Sequence, residues 1–161
     1  MSDQEILIIV DDQENILDYL PRHDAHNKKL LHRTISIITF TTDGKLVLQR
    51  RSKNKDTYPG MLGNAIGGHV IKGEEYLDAA KNEAEEELNI TIEPEFAKKI
   101  IVEDPNHRTM TSIYKIVFDG PYKYNKDEID EVIIYSLEEI KEHWDEISPP
   151  GQLILKGLQL I

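Results

Sequence analysis

One segment with helical periodicity lies between two groups of strand-like segments, and this order most constrains the fold of the 161-residue chain. Between residues 76 and 88, apolar side chains recur at steps of three and four, which places one apolar stripe on a helix; they are Leu77, Ala80, Ala84 and Leu88. Strand-like runs precede it at 6–10, 33–42 and 42–51 and follow it at 96–103, 111–120 and 131–136. This order predicts an α/β domain with a mixed sheet.

The connections between these segments can also be predicted. Asp43-Gly44 is a turn signal that joins the second and third strands in a hairpin. The polar stretch 51–63 contains Pro59-Gly60 and predicts a loop. A Ser-x-x-Glu start favours a helix over 136–147, and Ser148 followed by two prolines can open a last helix toward Ile161.

The composition restricts the classes of function. The chain has no cysteine, which excludes disulfides, thiolate metal sites and a cysteine nucleophile. Its net charge of -11 argues against nucleic acid as a partner, since such binding depends on clustered Lys and Arg. The sequence shows neither a bilayer-spanning run nor a signal peptide, so we expect one cytoplasmic domain over residues 1–161 without a membrane partner. Its oligomeric state is left open, a homodimer included.

Four glutamates crowd the end of the predicted central helix: Glu83, Glu85, Glu86 and Glu87. At about 100° per residue, Glu83, Glu86 and Glu87 form a band beside the apolar stripe, whereas Glu85 faces solvent. Few lysines or arginines lie at helical spacing, and the helix dipole disfavours acids in these later turns. A solvated acidic face is one reading. The other is a Mg²⁺ site, because a divalent cation would offset both penalties and a glycine carbonyl near Gly68 can add a hard oxygen ligand.

The stretch from residue 68 to residue 90 resembles the Nudix box. That pattern is Gly, five residues, Glu, seven residues, then Arg-Glu-apolar-any-Glu-Glu-any-Gly-apolar. The positions in register are Gly68, Glu74, Glu83, Ala84, Glu86, Glu87 and Ile90. Two positions depart from the pattern. Asn82 stands in place of an arginine that helps to orient a catalytic glutamate, and Asn89 stands in place of a glycine, where the left-handed conformation is still accessible to Asn.

The resemblance implies an α/β/α sandwich with a mixed sheet and a metal-dependent hydrolase activity. By this resemblance, Glu83, Glu86, Glu87 and the Gly68 carbonyl would hold Mg²⁺ or Mn²⁺, and Glu83 or Glu87 would act as the base. The substrate would be a small molecule with a diphosphate linkage, such as a nucleoside di- or triphosphate.

The order of segments up to about residue 120 is similar to the branch that contains type 1 isopentenyl-diphosphate isomerase. That likeness assigns Arg51 and Lys55 to the diphosphate, for which a planar guanidinium and a mobile ammonium are suited. It also implies a second metal site, which His32 and His69 match, while His26 lies one residue out of register.

Isomerisation itself is not expected. The catalytic cysteine of the isomerase corresponds to Gly67, and the later strand TSIYKIVF carries no carboxylate to act as its partner in proton transfer. The leading hypothesis is therefore hydrolysis. The alternatives are an isomerase-like protein and a diphosphate-binding module without turnover, the latter motivated by Asn82.

Overall fold

A computed structural model describes residues 4–161. Residues 1–3 lie outside the described residues. They begin the N-terminal segment that was predicted not to be a signal peptide. The strands are β1 Ile6–Val10, β2 Ile16–Pro21, β3 His32–Phe40, β4 Leu46–Arg51, β5 Leu62–Asn64, β6 Ile66–His69, β7 Glu95–Glu103, β8 Arg108–Val117 and β9 Ile129–Tyr135. The helices are α1 Arg22–Asn27, α2 Tyr76–Leu88, α3 Leu137–Glu142 and α4 Pro149–Gly157.

Strand β3 is the centre of the sheet. It pairs in parallel with β8 along its whole length, from His32 opposite Thr109 to Phe40 opposite Val117. Its other edge pairs antiparallel with β1, then β6, then β4. Strands β5 and β9 extend the sheet from β4, and β7 extends it from β8. The sheet is therefore mixed, as the sequence predicted.

Helices cover both faces of the sheet. The alanines of α2 and Leu88 pack against Ile35, Ile37 and Met110 on one face. Ile140 of α3 and Leu155 of α4 belong to a second core on the other face. This arrangement confirms the predicted α/β/α class. The predicted apolar stripe of α2 was wrong at one position, because Leu77 is 42% exposed and Ala79 is buried instead.

Helix ends follow the chemistry of their terminal residues. Helix α2 spans the predicted residues 76–88 and ends at Asn89, whose φ of 55° is in the left-handed region, as predicted. Ser136 and Ser148 cap α3 and α4 by accepting from the backbone N–H of Glu139 and Gly151.

Several elements differ from the sequence prediction. The helix predicted over 136–147 divides at His143 into α3 and a short 3-10 turn, Trp144–Glu146, and the last helix ends at Gly157, short of Ile161. The predicted loop 51–63 runs into β5. Strands β2, β5 and β6 and helix α1 were not predicted. They are short or contain glycine, and partner strands rather than their own propensities hold the three strands.

Candidate active site

The acidic end of α2 lies against the glycines of β6. A Cβ atom at Gly68 would overlap the carboxyl group of Glu83, so the helix can approach the strand this closely only at a glycine. The neighbouring Gly67 donates its backbone N–H to the carboxylate of Glu87. Glu86 is exposed beside them, and Glu85 is exposed as predicted. The structure thus brings the predicted metal residues Glu83, Glu86, Glu87 and Gly68 together.

The two inner carboxyl groups of this site are electrostatically strained. Burial, followed by repulsion from Glu86, raises the pKa of Glu83 to about 8. Burial, followed by repulsion from Glu83, raises the pKa of Glu87 well above its usual value. Glu87 Oε2 is buried and has no hydrogen-bond partner among the described residues. This arrangement fits a divalent cation such as Mg²⁺. The cation would bind the crowded carboxylate oxygens and would take the place of the missing proton or hydrogen-bond donor at Glu87 Oε2.

Asn82, which stands in place of the arginine of the box, hydrogen-bonds to Glu74. Its Nδ2 donates to Glu74 Oε2 at 2.7 Å, and Glu74 Oε1 accepts from the backbone N–H of Ile71 at 3.0 Å. Glu74 thereby joins α2 to the turn that follows β6. In this chain, the neutral amide of Asn82 therefore takes the position of the arginine and connects the helix to the turn through Glu74.

Of the predicted diphosphate residues, Arg51 is the last residue of β4, and Lys55 lies on the loop between β4 and β5. Arg51 donates from Nε to the carbonyl of Thr57 at 2.9 Å, and burial lowers the pKa of its guanidinium, with Asp56 and Glu87 close enough to oppose that shift. The ammonium of Lys55 lies 3.9 Å from Glu128 Oε1. Arg51 is therefore near Glu87, whereas Lys55 forms a long ion pair with the exposed carboxylate of Glu128.

The predicted second metal residues also meet. His26 of α1, His32 of β3 and His69 of β6 place one ligand atom each within 4.8 Å of the others. His32 Nδ1 donates to the carbonyl of Leu30, and His69 Nδ1 donates to Glu5 Oε1, which leaves both Nε2 lone pairs for another partner. The Nε2 atoms of His26 and His32 are buried without a hydrogen-bond partner in the described part of the chain.

The same surroundings keep the imidazoles of His26 and His32 neutral. Burial, together with repulsion from neighbouring histidines, lowers the pKa of His26 to about 3. Burial lowers the pKa of His32 to about 4. Neutral imidazoles are the form that binds transition metals, so the cluster fits Zn²⁺ or Mn²⁺ better than Mg²⁺.

Two residues of this cluster were missed from the sequence. The ring centroid of His107, in the β7–β8 turn, lies 4.8 Å from that of His26, and Glu5 binds His69 from the N-terminal segment. Only the parallel pairing of β3 with β8 brings the turn beside His32. No spacing in the sequence could show that pairing. The remaining histidines, His23 and His143, lie outside the cluster and bond to Asn27 and Glu146.

The chain is an α/β/α domain in which the acidic end of a helix packs on a strand that contains glycines. The chain belongs to the NUDIX domain family, whose model matches residues 30–154. It is 38% identical over 154 residues to an uncharacterized Nudix hydrolase of Yersinia pestis, with 94% of this chain and 82% of that protein covered. It is also 35% identical over 162 residues to the uncharacterized Nudix hydrolase YfcD of Escherichia coli, with 99% and 88% covered.

Solved structures show the same fold. DR0079 from Deinococcus radiodurans superposes with a TM-score of 0.81 at 21% identity, covering 94% of this chain and 98% of that chain. The NUDIX domain of Shewanella oneidensis NrtR, solved with ADP ribose, gives a TM-score of 0.62 at 16% identity, with 78% and 83% covered. The chain is thus a Nudix hydrolase by family. Within residues 4–161, no helix is long and apolar enough to cross a membrane.

Proposed function

We propose that the protein hydrolyses a diphosphate linkage in a small molecule, such as a nucleoside di- or triphosphate, with Mg²⁺ or Mn²⁺ held by Glu83, Glu86, Glu87 and the Gly68 carbonyl. The observation that carries this proposal is the buried, unpartnered Oε2 of Glu87 beside Glu83. Two carboxyl groups kept this close in a desolvated position are costly unless a cation or proton joins them. When bound, a divalent cation polarises phosphoryl oxygens and lowers the pKa of a coordinated water.

The protein residues have separate roles in this proposal. Glu87, held by the Gly67 N–H, or Glu83, held against Gly68, accepts the proton of the attacking water. Arg51 neutralises charge on the diphosphate from its position near Glu87, and Lys55 exchanges Glu128 for a phosphate oxygen. We propose that residues 1–161 act as one cytoplasmic unit. The absence of a nucleic-acid partner stays a prediction, and the oligomeric state, with a homodimer among the possibilities, stays open.

A second metal site at His32 and His69, completed by His26, is part of the proposal. The unpartnered Nε2 atoms of His26 and His32 support it, and so does the Glu5 carboxylate that orients His69. Metal content measured after dialysis against Zn²⁺ or Mn²⁺ tests this site without any activity assay. We expect His32→Gln to lose about one equivalent of metal, and an unchanged content would contradict the site.

The alternatives find less support. Gly67 leaves no thiol where the isomerase has one. On β8, the residues opposite His32 and Thr34 are Thr109 and Thr111, which carry no carboxylate, so proton transfer across an alkene lacks both carriers.

A binding module without turnover was motivated by Asn82. The Asn82–Glu74 hydrogen bond argues against it, because the amide still connects the helix to the turn. If the parent protein only binds, Asn82→Arg is expected to restore turnover.

Phosphorus NMR with Mg²⁺ or Mn²⁺ tests the proposal. The panel is nucleoside di- and triphosphates, nucleotide sugars and isopentenyl diphosphate. Glu87→Gln should reduce release of phosphate or monophosphate at least about 100-fold, since it removes a base and a ligand. Glu85→Gln, an exposed change on the same helix, should retain the parent rate. Equal rates for the parent and Glu87→Gln would overturn the site, and line broadening without cleavage would favour the binding module.

A further inference from the structure

Beside the glutamates, the sheet carries a continuous set of hydroxyl and amide groups. Thr34 and Ser36 of β3 lie on the same face as His32, since side chains alternate along a strand. Thr111 of β8 pairs with Thr34, and the two hydroxyl oxygens are 2.8 Å apart. Asn64 of β5 donates from Nδ2 to Ser36 Oγ at 2.8 Å. We call these four residues, Thr34, Ser36, Asn64 and Thr111, the hydroxyl floor.

The hydroxyl floor has two layers. Ser36 and Thr111 are buried, at 5% and 3% exposed. Thr34 and Asn64 are half-buried and reach solvent. The buried hydroxyls orient the outer side chains: Ser36 fixes the Asn64 amide through its Nδ2, and Thr111 fixes Thr34. Within residues 4–161, Asn64 Oδ1 makes no hydrogen bond and the Thr34 hydroxyl makes none besides that to Thr111, so both half-buried side chains can still bind a polar group.

The hydroxyl floor is next to the glutamates and has open space above it. Gly67 is opposite Ser36 in the β3–β6 pair, and its backbone N–H donates to Glu87. A Cβ at Gly67 would meet only the Ile35 carbonyl, at 3.6 Å, within a radius of 4 Å among the described residues. Adjacent strands are about 4.8 Å apart, so a diphosphate at Glu87 would place the group it carries over this floor.

We propose that the hydroxyl floor binds the non-phosphate group of the substrate and that this group is a sugar-like polyol, recognised by Thr34 and Asn64. This inference rests on the proposed function, whose site supplies the phosphate end. A polyol satisfies the outward-facing amide and hydroxyl. An alkyl or prenyl group would leave them desolvated without partners, which is the more costly arrangement.

Two diphosphate monoesters with five carbons each test the inference: ribose 5-diphosphate and n-pentyl diphosphate. The parent protein should hydrolyse the ribose ester at least about tenfold more efficiently in kcat/KM. Thr34→Val and Asn64→Leu preserve shape, and each should lower kcat/KM for the ribose ester about tenfold, mainly through KM, since one hydrogen-bonding site is lost. Neither should lower kcat/KM for the pentyl ester.

Thr39→Val is the matched control. Thr39 lies on the same strand but the opposite face, and its buried hydroxyl has no hydrogen-bond partner in the part of the chain that the structure describes. It should leave both esters unaffected. The preserved rate on the pentyl ester also shows that the Thr34 and Asn64 variants are folded. Equal efficiency on both esters, or variants that slow both alike, would overturn the inference while leaving the hydrolase proposal standing.

If the proposed function fails, the parent protein will cleave no diphosphate at all. This result differs from failure of the inference, in which the diphosphates are still cleaved. Calorimetry with the parent protein and Mg²⁺ then still decides the role of the hydroxyl floor. Tighter binding of ribose 5-diphosphate than of n-pentyl diphosphate, abolished by Asn64→Leu, supports the inference. Equal affinity for the two esters contradicts it.

Discussion

Gly68 is the residue on which the geometry of the candidate site depends. Its missing side chain leaves room for Glu83, whose carboxyl group a Cβ would overlap. We therefore predict that Gly68→Ala displaces Glu83 and lowers turnover about 100-fold, with a loss of stability of about 1–3 kcal/mol from overpacking. Gly67→Ala is the steric control for stability, because its Cβ meets only the Ile35 carbonyl at 3.6 Å. Urea denaturation of both variants measures the difference, and equal stability would contradict the close packing.

Glu83 also makes the metal-free protein sensitive to alkaline pH. Its pKa is raised in the folded state to about 8, above the usual 4.5, so its proton stabilises the folded state at low pH. That contribution is present below pH 4.5 and is lost as the pH rises through 8. In EDTA, Glu83→Gln should therefore exceed the parent in stability by about 1–3 kcal/mol at pH 8.5 and match it near pH 4.5. Urea midpoints at the two pH values test this; a constant difference would refute it.

The residues of the acidic site could be predicted from the sequence because they lie on one helix and one adjacent strand. Spacing along a helix fixes which side chains are neighbours, so Glu83 and Glu87 were predicted to lie together. The left-handed Asn89 followed from the same local chemistry. His107 and the hydroxyl floor could not be found in this way. They depend on how β3 pairs with β8 and β6, which is a property of the tertiary fold.

At the scale of elements, the segment before residue 30 is part of the site. The family model begins at residue 30, after β1, β2 and α1. Yet this segment supplies Glu5 to His69 and His26 to the histidine cluster. Its β1–β2 turn is held by Glu14, which contacts Arg33 at 3.0 Å and Lys99 at 2.6 Å. Helix α1, which the sequence failed to predict, therefore contributes His26 to the histidine cluster.

The docking of this turn can be tested at Glu14. The carboxylate also accepts a hydrogen bond from Tyr76 at the start of α2, and it is 20% exposed against 14% for Arg33. Glu14→Gln leaves a half-buried arginine without its counter-charge, so we predict a loss of about 2–3 kcal/mol. Asp12→Asn, in the same turn, breaks the exposed pair with Arg108 and should cost less than about 1 kcal/mol.

Denaturation curves for the Glu14 and Asp12 variants decide whether the turn is docked by a partly buried network. If both variants lose the same small amount, the contacts of Glu14 behave as surface pairs. Retained metal content in Glu14→Gln would further show that the histidine cluster does not depend on the turn. A parallel loss of metal and stability would show that the turn and α1 form one cooperative unit.

At the scale of the whole molecule, the two sites place opposite demands on charge. The chain carries a net charge of -11, and its acidic site gains from protons or cations. His26 and His32 of the histidine cluster, by contrast, favour the folded state only as neutral imidazoles, since burial and repulsion from neighbouring histidines oppose their protonation. The metal-free fold therefore loses stability at both high and low pH. A metal at the acidic site would reduce the loss at high pH, and a metal at the histidine cluster would reduce the loss at low pH.

The acid end of that range gives the last prediction. The folded-state pKa of His26 is lowered to about 3, below the 6.5 of an ordinary histidine. The stability it contributes is complete above pH 6.5 and is lost as the pH falls toward 3. Between pH 7 and pH 5 in EDTA, His26→Gln should thus lose about 1–2 kcal/mol less than the parent. His23→Gln, an exposed change on the same helix, should follow the parent curve. If both variants follow it, the buried imidazole is not the source of acid sensitivity, and the neutral cluster on which the second metal site depends would have no energetic support.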